Sequence, residues 1–277
     1  MKKCRSKCTL IIGIIFMTAS LCFVLYPSVS NAVNSFFAAS TINNYAANLD
    51  SISAADRSQH LSAAAEYNNN LSELINGFSY DTDSVIDGYD DILNFGDGLI
   101  GYIDISKINV KLPIYHGDTD KVLEKGVAHL PNTAFPIGGI GNHSVLSAHT
   151  GYPTQVFFDN LNELEIGDEI KVSVLDETLT YAVTAKNIVK PDNISLLSVD
   201  EEKDLLSLIT CYPYGVNSHR LIVTAERVKD TTASDTATKT ENNNNRSFDF
   251  IIAVIVITAI LAILVIAVSI KNKRRRK

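Results

Sequence analysis

DLLSLITCYPYGVNSHRLIVTAERV, residues 204–228, contains the only cysteine beyond the first 22 residues and reads as a hairpin. Two runs rich in Leu, Ile, Val and Thr, 205–211 and 220–228, flank a segment that includes Pro213, Gly215, Asn217 and Ser218. Branched apolar runs bounded by turn formers are the pattern of strand, loop, strand. Side chains on a strand alternate faces, so Leu205, Ser207, Ile209 and Cys211 share one face, and Arg220, Ile222 and Thr224 share one face of the second strand. Antiparallel pairing then lets the Cys211 thiol and the Arg220 guanidinium, at the strand ends, point into one cleft.

A permanently charged, five-donor guanidinium beside a thiol favours the thiolate and offers a donor to an oxyanion formed when that thiolate attacks a carbonyl. Such a pair needs a base. His149 closes the alternating run HSVLSAH, residues 143–149, and also stands at a strand end. Cys and His far apart in sequence but joined by the fold are the pattern of cysteine acyl transfer. A strand-end His beside Gly is also a common hydrogen-bonded surface residue. His143 has the same strand parity and is a weaker second base; His219 falls on the opposite face from Arg220, and His60 is expected at the surface. His116 and His129 have no nucleophile nearby in sequence. No His/Cys/carboxylate spacing suggests a metal, and no cofactor is expected.

Outward from the hairpin, the chain from Gly98 to Val228 reads as strands. GLIGYIDI is followed by INVKLPIYHG, where Pro113 implies an edge or a bulge. Phe157, Phe158, Leu161 and Leu164 form an apolar cluster. Ile170, Val172 and Val174 then alternate, as do Leu179, Tyr181 and Val183, with Asp176-Glu177 as their turn. Seven or eight strands of this kind predict a closed or nearly closed β-barrel over 98–228.

The ends of the chain differ from its middle. Of 24 Lys and Arg, four precede residue 10 and six follow residue 270, whereas all but one of the 31 Asp and Glu fall between Val33 and Ser247. That middle is acidic, which excludes nucleic acid as a partner. Residues 9–26 and 250–270 are apolar runs long enough to span a bilayer, with basic flanks at both termini. The positive-inside rule puts both basic ends in the cytoplasm and the domain outside. A second reading of residues 1–32 is a signal peptide, cleaved after Ala32 in Ser30-Asn31-Ala32. Residues 33–97 read as a helical lead-in, with Ser40 or Thr41 as a cap, followed by a solvated acidic connector over 77–97. Residues 229–247 lack large apolar side chains and read as a disordered linker, ahead of a membrane helix and basic tail over 248–277.

SLITC (207–211) followed by Arg220 resembles the TLxTC motif and downstream arginine of the sortases, with His149 in the place of the sortase histidine. KLPIYHG (111–117), GVAHLPNTAFPIGG (126–139), HSVLSAHTG (143–151) and TCYPYGVNSHRLIV (210–223) resemble class C, the pilin-polymerising sortases. Ser207 stands where the family usually has Thr, and Ala148 and Thr150 flank the His where Gly and Arg are common. No Asp-Pro-aromatic lid motif lies between residues 71 and 97.

The resemblance implies a mostly β, sortase-like barrel with N-terminal helices, flanked by two transmembrane helices, and the catalytic set His149, Cys211 and Arg220. It also implies a membrane-anchored cysteine transpeptidase that cleaves an LPxTG-like sorting signal at Thr. The expected partners are a pilin or surface protein bearing that signal and an amine acceptor, either a pilin lysine or a cell-wall precursor. The alternatives are a wall-anchoring sortase, a secreted cysteine peptidase and a non-enzymatic membrane-tethered module.

Overall fold

The computed structural model describes residues 2–74, 86, 88–193 and 195–228. The expected linker over 229–247 and the second membrane helix lie outside these residues. The chain divides into two units, and Phe37–Ala233 carries the barrel.

Helix α1 runs over Lys2–Leu49 and helix α2 over Ala54–Leu74. Neither Ser40 nor Thr41 is a cap, because α1 passes through both without a break. The cap that the sequence does supply is Ser53. Its hydroxyl accepts from the Asp56 amide at 3.2 Å and donates to the Asp56 carboxylate at 2.7 Å, which makes Ser53 the N-cap of α2. The segment Ile15–Leu49 is long and apolar enough to cross a membrane, and Phe16, Met17, Phe23 and Val24 on it are exposed. Ala38, Ile42, Tyr45 and Leu49, further along α1, are buried. Their spacing of three to four residues is that of one helical face turned to a core.

Eight strands close a barrel: β1 Leu99–Ile105, β2 Val110–His116, β3 Val127–His129, β4 His143–Ser147, β5 Glu169–Val174, β6 Glu177–Val189, β7 Leu205–Tyr212 and β8 His219–Arg227. Their order around the wall is β1-β2-β3-β4-β7-β8-β6-β5. Neighbours are antiparallel except β2 with β3 and β4 with β7, which run parallel. Closure removes the edges, so Pro113 is not on an edge strand. β2 tolerates it because pairing with β3 begins only at Ile114. The β5–β6 turn falls one residue earlier than expected, with Leu175 in the left-handed region at φ 53°. The apolar cluster at Phe157, Phe158, Leu161 and Leu164 is fully buried, as are the alternating residues of β5 and β6.

The acidic connector is corrected in its described part. Tyr89 and Leu93 are buried at 2% and 0% exposure, so the segment is an anchor and not a solvated tether. The Tyr89 hydroxyl lies 2.9 Å from both the Nδ1 and the carbonyl oxygen of His129. His116 has Nδ1 2.8 Å from the Gly98 carbonyl oxygen and Nε2 2.7 Å from that of Ile92, joining the same segment to β2. His60 is half-buried, with its ring 5.0 Å from that of Phe95.

Candidate active site

Strand alternation sorts the hairpin into two faces. Leu206 and Leu208 of β7, with Val223 and Ala225 of β8, are completely buried in the main core inside the barrel. The opposite parity, Ser207, Ile209 and Cys211, lies on the outer wall. There Ile209 and Ile222 join a second, smaller cluster with Leu130, Val145 and Leu197. Leu197 belongs to the β6–β7 connection, so that connection covers the outer wall next to the hairpin end. Cys211 is therefore not sealed in the barrel, and it is partly exposed as a free thiol.

Antiparallel pairing sets Cys211 directly opposite Arg220, followed by Ile209 opposite Ile222 and Ser207 opposite Thr224. Directly paired residues project to the same face with Cβ atoms about 5 Å apart. β7 runs one residue past Cys211 and β8 starts one residue before Arg220, so both side chains sit on ordered ladder. Arg220 Nη1 donates to the carbonyls of Asn217 at 3.3 Å and His219 at 3.1 Å. These bonds fix the guanidinium at one corner. Among the described residues its remaining donors have no protein acceptor, which leaves them for an incoming carbonyl or oxyanion. His219 pairs with Tyr212 and so has the opposite parity, as expected.

His149 comes from the neighbouring strand. β4 pairs with β7 in parallel register from His143 opposite Leu205 to Ser147 opposite Ile209. The association continues past the end of β4: the Ala148 amide donates to the Ile209 carbonyl at 3.1 Å, and the Thr210 hydroxyl donates to the Ala148 carbonyl at 2.8 Å. Carried two residues past its end, that register sets His149 level with Cys211 on the neighbouring strand. All three expected residues thus converge on one rim, though His149 lies two residues beyond the strand that it was expected to close.

His143 is excluded as the second base. One ring nitrogen lies 2.9 Å from the Ser198 carbonyl oxygen and the other 2.9 Å from the Ser207 hydroxyl, which is itself 3.2 Å from the Thr224 hydroxyl. Burial pushes its imidazole below the ordinary histidine range, with the Ser198 carbonyl opposing. It is a buried link between the β6–β7 connection and the hairpin wall.

Two residues at the rim escaped sequence reasoning. Asp159 accepts from the Gly151 and Phe157 amides, each at 2.9 Å, and so ties together the loop that follows His149. Tyr152 stacks on the imidazole at 5.2 Å with ring planes 7° apart. The available signal was an aromatic three residues beyond the histidine and a carboxylate ten beyond it.

Residues 103–228 match the sortase domain model. Clostridium perfringens sortase C, solved with the C-terminal cell wall sorting motif, is 37% identical with a TM-score of 0.61, over 69% of this chain and 100% of that one. The chain belongs to the sortase family. Sortase C1 of GBS pilus island 1 is 30% identical with a TM-score of 0.65, over 72% of this chain and 95% of that one. Sortase D of Bacillus subtilis (strain 168) is 34% identical over 131 residues, 46% of this chain and 63% of that protein. The chain thus spans somewhat under two thirds of that curated relative. The sortases are cysteine transpeptidases, and their barrel is the one described above.

Proposed function

We propose that this sortase is a membrane-held cysteine transpeptidase that cuts a sorting signal of LPxTG type after its Thr and passes the acyl group to an amine, most directly a pilin lysine. The direct cross-strand pairing of Cys211 with Arg220, on an outer wall flanked by the His149 loop, carries this reading. The Cys211 thiolate attacks the threonine carbonyl, and the tetrahedral oxyanion is met by the free side of Arg220. His149 then gives its proton to the departing amine, leaving a thioester on Cys211. An acceptor amine attacks the thioester, forms the new amide and restores the thiol.

The pilin reading is supported by the class C-like motifs and by the likeness to a sortase of a pilus island, and the sorting-signal reading by the likeness to a sortase solved with such a motif. The apolar segment Ile15–Leu49 supports membrane attachment. The basic termini support an extracellular domain held by two spans.

The test is product analysis of the full chain with a sorting-signal peptide, with and without an added amine. The expected result is an amide-linked product that appears only with the amine and is lost in Cys211→Ala. Release of free acid alone, unchanged by the amine, would assign a peptidase instead.

A further inference from the structure

Among the described residues no carboxylate bonds His149 and neither ring nitrogen has a hydrogen-bond partner, whereas a nucleophile's base is commonly held by a third polar group. Its plane is set by aromatic rings. Tyr152 stacks parallel to it with centroids 5.2 Å apart, and Phe157 meets it edge-on at 6.3 Å and 65°. Tyr152 and Phe157 in turn meet at 5.7 Å and 69°, so the three rings brace one another.

The backbone holds this arrangement in place. The Phe158 amide donates to the His149 carbonyl at 3.0 Å, and the Asp159 carboxylate ties Gly151 to Phe157. Gly151, at φ +71°, makes the turn that brings Tyr152 back over the imidazole, and a Cβ there would lie 3.3 Å from the Tyr214 ring.

We infer that Tyr152 is a positioning residue for His149, its stacked ring fixing the imidazole plane. This rests on His149 being the proton donor proposed above.

A misaligned imidazole plane impairs proton transfer and not peptide binding, so loss of the stacked ring lowers kcat and leaves KM.

The full chain in detergent is assayed for kcat and KM on a sorting-signal peptide with Tyr152→Phe and with Tyr152→Leu. Phenylalanine keeps the stacked ring and is expected to restore kcat to that of the natural chain. Leucine removes the ring and is expected to lower kcat about tenfold with KM unchanged. Unchanged kcat in Tyr152→Leu, or a rise in KM without a fall in kcat, would overturn the inference. His149→Ala separates the two levels: retained transpeptidation there would remove His149 from the mechanism, whatever Tyr152 does.

Discussion

Acidification should unfold this barrel in part through a histidine remote from the chemistry. His129 is fully buried, with one ring nitrogen 2.9 Å from the Tyr89 hydroxyl and the other 2.9 Å from the Ala134 carbonyl oxygen. Its ring is stacked on Phe135 at 4.8 Å and 6°. Burial pushes its imidazole down to about 3, with the Ala134 carbonyl opposing and His116 adding to the fall. An unfolded histidine takes its proton near pH 6.5, so below that pH the unfolded chain is protonated at this position while the folded chain is not. Stability therefore drops as pH falls through 6.5, and the loss continues until the folded state also takes the proton near pH 3. Linkage between those two values gives a loss of about 2.5 kcal/mol from pH 6 to pH 4. That is a large part of the roughly 5–15 kcal/mol that holds a typical domain together. Urea unfolding of residues 37–233 at pH 6, 5 and 4, for the natural chain and for His129→Gln, measures it. Glutamine cannot titrate, so the variant should be less stable at neutral pH yet lose about 1.2 kcal/mol less per pH unit. Equal slopes for the two proteins would refute the reasoning, because they would mean that His129 is protonated alike in the folded and unfolded states.

Three further outcomes follow from the geometry. A Cβ at Gly101 would lie 2.2 Å from the Ser173 carbonyl oxygen across the β1–β5 seam, so Gly101→Ala should cost about 3 kcal/mol of stability, read from the urea midpoint. Arg220→Ala should lower turnover about a hundredfold while Cys211 still reacts with a vinyl sulfone, and unchanged turnover would take the guanidinium out of the oxyanion role. Asp159→Ala leaves the Gly151 and Phe157 amides without their acceptor; it should cost about 2 kcal/mol in unfolding and slow peptide cleavage, and full activity would mean that the loop holds its shape without the carboxylate.

The hairpin could be read from sequence because its information is local. The alternation in 205–211 and 220–228 puts Cys211 and Arg220 on one face, and the turn residues between them bring the strands together; the observed register is the one which that alternation requires. His149 was harder, since its place beside Cys211 depends on parallel pairing of strands far apart in sequence. The family-like motifs identified it more readily than strand parity did, because parity admitted His143 equally. What separates the two histidines is burial: His143 is covered by the β6–β7 connection and bonded through both nitrogens, a tertiary fact with no local signature. The acidic stretch after α2 misled for a similar reason. Its many aspartates suggested solvent, while Tyr89 and Leu93 among them carry the contacts that bind it to the barrel. Pro113 pointed to an edge or a bulge; the closed wall removes the edge, while the β1–β2 pairing does shift register between Leu99 and Gly101, opposite Tyr115 and Ile114.

The most direct measurement is the intact mass of the full chain after rapid mixing with a sorting-signal peptide and no amine. The expected species is the chain plus the N-terminal part of the peptide ending at Thr, released by hydroxylamine, mapped to Cys211 and absent in Cys211→Ala. An adduct on another residue, or cleavage that persists without Cys211, would contradict the account.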